Sequence, residues 1–209
     1  MAKFRSGLYG VTPDDSDTAQ LVRRVRAALT GGATAIQYRN KHAPPAVRRE
    51  QAVALLAICR AAQAPLIVND DLALALDIDA DGVHLGRDDG AVAAARARLG
   101  PKKILGVSCY SQLERAVQAA EDGAGYVAFG SAFPSPTKPD AVRAPLALYA
   151  AAKRRLAIPV VAIGGITLQN ASELIAAGVD AIAVISALFD ADDIAARARA
   201  FQHLFERGA

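Results

Sequence analysis

Eight short runs of β-branched and apolar residues recur along the chain: Leu8 to Thr12, Ala35 to Arg39, Pro65 to Asn69, Gly82 to Leu85, Lys103 to Ser108, Tyr126 to Gly130, Pro159 to Gly164 and Ala181 to Ser186. Each is strand-length. Between them apolar residues return at helical spacing, as in Leu21/Val25/Leu29, Val47/Val53/Leu56, Leu113/Val117/Ala120 and Ala171/Leu174/Ile175. The alternation predicts parallel strands joined by helical crossovers, and eight βα units are the number that closes a (β/α)8 TIM barrel of the α/β class. No Pro/Gly/Ser-rich linker breaks the pattern, so residues 1–209 are expected to form a single catalytic domain. Gly31-Gly32, Gly123 and Gly178 fall where helices should stop, and Asp14-Asp15, Asp70-Asp71 and Asp88-Asp89 where helices should begin. A doubly wound sheet would need a Gly-rich phosphate turn after the first strand, and Thr12-Pro-Asp-Asp-Ser lacks one.

Composition adds exclusions. Apolar residues make up 53% of the chain and charged ones 22%, enough to build a core and too apolar for disorder. The longest apolar runs, such as Pro159 to Gly164, are far short of the roughly 20 residues of a membrane span. The first residues, Met1 to Arg5, lead directly into a strand without an apolar leader core, which predicts a cytoplasmic protein. Cys59 and Cys109 match no disulfide framework or zinc spacing, and Cys59 reads as core filler. The net charge of +3 is spread along helices, not blocked into a nucleic-acid patch.

In a β/α barrel the reacting groups come from the C-terminal ends of the strands and the loops beyond them. Strand two ends Gln37-Tyr38-Arg39-Asn40-Lys41, where alternation sends Gln37, Arg39 and Lys41 to one side. Two cations and an amide make a cradle for a di- or polyphosphate. Asn69-Asp70-Asp71 and Gly86-Arg87-Asp88-Asp89 bring carboxylates to the next two strand ends. Carboxylates among phosphate-binding cations suit Mg²⁺, with Asp71 and Asp88 reading as helix caps. Strand six runs into a long loop with Ser135, Pro136, Thr137 and Lys138, a lid candidate. Gly164-Gly165-Ile166 and Ile185-Ser186 end the last two strands, where backbone N–H groups of many barrels hold a phosphate monoester. Two phosphorylated small molecules are thus the expected partners, with a homo-oligomer left open and neither nucleic acid nor membrane involved. His84 lies within strand four, and no strong base or nucleophile stands out. Such an inventory suits ionisation of a diphosphate.

The series Gln37-x-Arg39-x-Lys41, Asn69-Asp70, Gly82-Val-His-Leu-Gly86 with Asp89, Gly106-Val-Ser108, Phe133-Pro-Ser-Pro-Thr-Lys138, Gly164-Gly-Ile166 and Val184-Ile-Ser186 resembles bacterial thiamine-phosphate synthases. The resemblance runs from strand one to strand eight, and it implies joining a hydroxymethylpyrimidine diphosphate to a hydroxyethylthiazole phosphate with release of pyrophosphate. Carried over residue by residue, it implies that Gln37, Arg39, Lys41, Asn69, Ser108 and Lys138, with Tyr38 and Asn40 in the same run, hold the pyrimidine diphosphate. Arg39, Lys41, Ser108 and Lys138 would be the catalytic members. Asp70 and Asp89 would hold Mg²⁺, and Ser135, Pro136, Thr137, Gly165, Ile185 and Ser186 would hold the thiazole phosphate. In that family the pyrophosphate departs first and the thiazole nitrogen attacks the resulting cation. Arg87, Asn40 and Cys109-Tyr110 depart from the family pattern, and Arg87 would add a cation beside Asp89. A related thiazole tautomerase should lack the diphosphate and Mg²⁺ set, which this chain keeps; a phosphate-ligand sensor on the same scaffold would bind without turnover.

Overall fold

The computed structural model describes residues 4–134 and 142–207. Parallel strands β1 (Gly7–Val11), β2 (Ala35–Tyr38), β3 (Leu66–Asn69), β4 (Gly82–Leu85), β5 (Ile104–Tyr110), β6 (Tyr126–Phe129), β7 (Val160–Ile163) and β8 (Ala181–Val184) close into a barrel in chain order. Closure is made by β8 on β1, with Leu8 opposite Ile182 and Gly10 opposite Val184. Helices α1 (Thr18–Thr30), α2 (Pro45–Ala61), α3 (Leu72–Asp77), α4 (Val92–Leu99), α5 (Leu113–Glu121), α6 (Leu146–Arg155) and α7 (Ala171–Ala176) form the crossovers, and α8 (Ser186–Phe189) and α9 (Ile194–Arg207) follow β8. The expected (β/α)8 barrel is what forms, with strand limits no more than two residues from those read in the sequence. No described helix is long and apolar enough to cross a membrane.

Strand alternation sorts the apolar residues into two cores. Leu8, Ile36, Tyr38, Val68, Val83 and Val107 face outward and pack under the helices. Tyr9, Ala35, Ile67, Ile104, Tyr126, Val161 and Ala181 face inward and fill the barrel. Large aromatics on β1 and β6 are accommodated by alanines on β2 and β8. Phe4 closes the floor, stacked on Tyr126 with ring centroids 4.3 Å apart and meeting Tyr9 edge-on at 5.1 Å. Gly106 makes room for this arrangement, because a Cβ there would lie 2.1 Å from the Tyr126 ring.

Helix punctuation follows the sequence in part. Gly31, Gly123 and Gly178 each donate a backbone N–H into the last turn of the preceding helix, to Ala27, Ala120 and Ile175. Asp71 caps α3 by accepting from the Leu74 N–H at 2.9 Å. The other acidic pairs do not cap. Helix α1 starts after Asp17, which accepts from Gln20 N at 3.0 Å, and α4 starts after Ala91, so Asp88 is a cleft residue and not a helix cap.

Cys59 and Cys109 are both buried and free. Burial pushes each thiol up to about 12, so neither is a thiolate near neutral pH. Native protein is expected to resist a disulfide-based thiol reagent, with both cysteines reacting once denaturant is added; equal labelling rates with and without denaturant would contradict this burial.

Candidate active site

A cleft of about 850 Å³ opens over the C-terminal strand ends, lined by residues of all eight strands or the loops that follow them. Its volume is within the range of small-molecule sites. The alternation read from β2 decides which side chains reach it. Gln37, Arg39 and Lys41 line the cleft, as do Asn69, Asp70, Asp89 and Ser108. Tyr38 and Asn40, expected among the pyrimidine ligands, are on the opposite face. Tyr38 is buried beneath the helices and donates its hydroxyl to Gln51 Oε1 at 2.9 Å. Asn40 is also buried, and its Nδ2 donates to the same oxygen at 3.0 Å and to the Asp15 carbonyl at 2.7 Å. Both side chains therefore anchor the strand end from behind and are not part of the cleft lining.

The cations are held by carboxylates that the sequence reading assigned elsewhere. Asp14, read as a helix start, pairs with the Arg39 guanidinium at 3.1 Å and accepts from the Lys41 backbone N–H at 2.7 Å. Thr12 joins β1 to the same segment, its Oγ1 accepting from Arg39 N and donating to Arg39 O, both at 2.9 Å. The Lys41 ammonium lies 3.3 Å from Asp70 Oδ2. Asp70 has φ 62°, a left-handed conformation that Asp tolerates, and its N–H donates to the His84 carbonyl.

Asp89 accepts from the Gly86 N–H at 2.6 Å. Its carboxyl is raised above the usual carboxylate range by burial, and the neighbouring Asp70 carboxylate raises it further, against the Gly86 hydrogen bond and the Lys41 charge. Two carboxylates placed together in this way favour a cation between them. Among the described residues no group of three or more His, Cys, Asp or Glu side chains assembles, so the chain itself offers a pair of carboxylates. That donor set fits Mg²⁺, which takes one or two carboxylates and completes its shell with water and substrate phosphate.

The cleft floor is polar. His84 is buried, with Nδ1 2.8 Å from the Tyr126 hydroxyl and Nε2 2.9 Å from Ser108 Oγ. Burial pushes its imidazole down to about 4, against the Asp70 charge, and so keeps it neutral near pH 7. Tyr126 meets the Tyr9 hydroxyl at 2.8 Å, and Tyr9 accepts from Gln37 Nε2 at 2.9 Å. Neither tyrosine was legible as a polar member of the site, because an aromatic residue within a strand reads as core.

The opposite wall is backbone-rich. Gly164 and Gly165 have φ of 102° and 62°, and a Cβ on Gly165 would sit 2.2 Å from the Pro134 carbonyl oxygen. The loop is fixed by Asn170, whose Nδ2 donates to the Gly165 carbonyl and whose Oδ1 accepts from Thr167 N. Gly165, Ile185 and Ser186 line the cleft, together with Thr167, which the sequence reading did not include. The Ser186 and Ala187 N–H groups open α8 ahead of its first hydrogen bonds, which Leu188 and Phe189 donate to the Ile185 carbonyl. Ser135, Pro136, Thr137 and Lys138, with the lid expectation attached to them, lie outside the described residues.

Two of the departures from the family pattern meet at the rim. The Arg87 guanidinium lies 4.7 Å from the centroid of the Tyr110 ring, and Arg115 approaches the same ring at 6.0 Å. Tyr110 thus receives the cation that the sequence placed beside Asp89.

A parallel barrel with cations, paired carboxylates and exposed loop backbone gathered at one strand-end mouth defines a barrel enzyme acting on small polar molecules. The thiamine monophosphate synthase family model matches residues 8–188. The chain is 61% identical over 199 residues to the thiamine-phosphate synthase of Methylobacillus flagellatus, covering 95% of each. It is 55% identical over 200 residues to that of Aromatoleum aromaticum, covering 96% of each. It also superposes on the thiamine phosphate pyrophosphorylase from Pyrococcus furiosus with a TM-score of 0.88, at 40% identity and over 98% of each chain. The chain belongs to the thiamine monophosphate synthase family, and it is an enzyme of that class.

Proposed function

We propose that the chain joins 4-amino-2-methyl-5-(diphosphooxymethyl)pyrimidine to 4-methyl-5-(2-phosphooxyethyl)thiazole, or to its carboxylated form with loss of CO2, giving thiamine phosphate and diphosphate. The observation that carries this reading is the convergence of Arg39, Lys41, Asn69, Asp70, Asp89 and Ser108 on one wall of a cleft whose other wall is the Gly164-Gly165 and Ile185-Ser186 backbone. One wall suits a diphosphate and the other a monophosphate ester.

In the proposed reaction the methylene C–O bond breaks and both electrons leave with the diphosphate. The aminopyrimidine ring delocalises the resulting cation, and the thiazole nitrogen donates its lone pair to form the C–N bond. Neither step requires a general base, in keeping with a cleft whose one histidine is buried, neutral and hydrogen-bonded on both nitrogens. Arg39 and Lys41 supply fixed positive charge where negative charge accumulates on the leaving group, oriented in advance by Asp14 and Asp70. Asp70 and Asp89 are the residues that would hold Mg²⁺, whose charge, when bound, offsets that of the departing diphosphate. The Gly165 and Ser186 wall holds the thiazole phosphate so that its nitrogen faces the methylene carbon.

The test is to mix both substrates with Mg²⁺ and measure pyrophosphate release. Release that needs both substrates is expected; none from folded protein, or thiazole turnover without the pyrimidine, overturns the proposal.

A further inference from the structure

Gln37 and Ser108 line the cleft, but the reaction proposed above leaves the phenols of Tyr9 and Tyr126 without a task. Both rings are buried in the barrel, Tyr126 with no exposure and Tyr9 with 1%. Phenylalanine would fill the same space without the cost of burying a hydroxyl. The hydroxyls instead complete a continuous hydrogen-bonded line across the barrel from Gln37 through Tyr9, Tyr126 and His84 to Ser108, with each link between 2.8 and 2.9 Å.

Such a line has a direction. The Gln37 amide nitrogen can only donate, so the Tyr9 oxygen accepts from it, and the Tyr9 proton goes to its other partner, Tyr126. Tyr126 then has one proton to give and one acceptor left, His84 Nδ1. A neutral imidazole accepting at Nδ1 carries its proton on Nε2, so His84 donates to Ser108 Oγ. Ser108 has accepted inside the barrel, and its own proton is turned toward the cleft. At the other end, one Gln37 N–H is engaged with Tyr9, which fixes the way the amide faces and leaves its oxygen as an acceptor for a ligand.

We propose that Tyr9, Tyr126 and His84 are positioning residues that fix the hydrogen-bond polarity of the cleft, making Ser108 a donor and the Gln37 amide oxygen an acceptor, and so select an aminopyrimidine over its oxo counterpart. An aminopyrimidine offers an exocyclic N–H to the amide oxygen and a ring-nitrogen lone pair to the serine proton. The oxo ring in its lactam form offers a carbonyl and a ring N–H in the same places, so acceptor meets acceptor and donor meets donor. Sites that hydrogen-bond a substrate group reject analogues that leave buried partners unpaired. The ligand in this proposal rests on the aminopyrimidine reading above; the direction of the line does not.

The chain has three histidines, so the imidazole nitrogens of ¹⁵N-histidine-labelled protein can be resolved and assigned by comparison with His84→Gln. The wild-type protein is expected to show His84 with its proton on Nε2, without any substrate present. A proton on Nδ1 reverses both His84 bonds, leaves Ser108 donating into the barrel, and overturns the proposal. The second measurement compares the aminopyrimidine diphosphate with its 4-oxo analogue at equal thiazole phosphate, in wild type and in Tyr126→Phe. Wild type should prefer the amine by about a hundredfold or more in kcat/KM. Tyr126→Phe should cut that preference at least tenfold, while its affinity for inorganic pyrophosphate with Mg²⁺ and its circular dichroism stay at wild-type values. An unchanged preference in the folded variant overturns the proposal. Failure of wild type to release pyrophosphate from either pyrimidine would instead remove the functional reading, and the tautomer measurement would still decide the polarity.

Discussion

Asp70→Ala and Asp89→Ala are each expected to slow pyrophosphate release by about a hundred- to a thousandfold, the usual consequence of removing one preorganised charge-stabilising group from a reaction that depends on them. The fold should survive either change, with Asp70→Ala adding only the strain of an alanine at its left-handed φ of 62°. Lys41, the partner Asp70 would leave behind, has a half-exposed side chain and can be solvated. Asp89 is exposed at the rim, and its carboxyl is raised by partial desolvation and in part by the neighbouring Asp70 charge, so removing either member relieves repulsion. The effects should separate by metal dependence, with the Mg²⁺ concentration for half-maximal rate rising in each variant. Near-normal rates at low Mg²⁺ would show that this pair is not the metal site.

Gly106→Ala should be a strongly damaging single-methyl change in the barrel. The added carbon would lie 2.1 Å from the Tyr126 ring and 2.3 Å from its hydroxyl oxygen. The ring cannot yield, being stacked between Phe4 and His84 and hydrogen-bonded to Tyr9 and His84. Overpacking costs about 1–3 kcal/mol, and each buried hydrogen bond lost adds about 1 kcal/mol. A total of about 3 kcal/mol would lower the melting temperature by roughly 6–12 °C in a chain of this size. Thermal unfolding followed by circular dichroism measures it, and a drop under 2 °C would mean that the floor is softer than its packing indicates.

The repeat of strand and helix was legible because each strand is buried on both faces and each helix on one, and burial writes its period into the chain. Alternation also put Gln37, Arg39 and Lys41 on one side correctly. The same alternation, applied to the whole run, would have placed the Tyr38 and Asn40 side chains on the other face. They entered through family likeness, which marks segments more readily than faces. Asp14 was missed because an acid near a helix start has an ordinary local explanation, whereas its actual partners, Arg39 and Lys41, are some 25 residues away. The Tyr9–Tyr126 contact spans 117 residues and depends on the register of strands that are not neighbours in the barrel, information no local window contains.

The aromatic floor has a final consequence for traffic. With Phe4, Tyr9 and Tyr126 packed beneath it, the cleft is closed from below among the described residues and opens at the strand ends. In the proposed function a ring seated against Gln37 and Ser108 would lie deeper than a ligand held by the rim loops, and would have to enter first. In the proposed reaction the joined product and the released diphosphate would leave by that same opening.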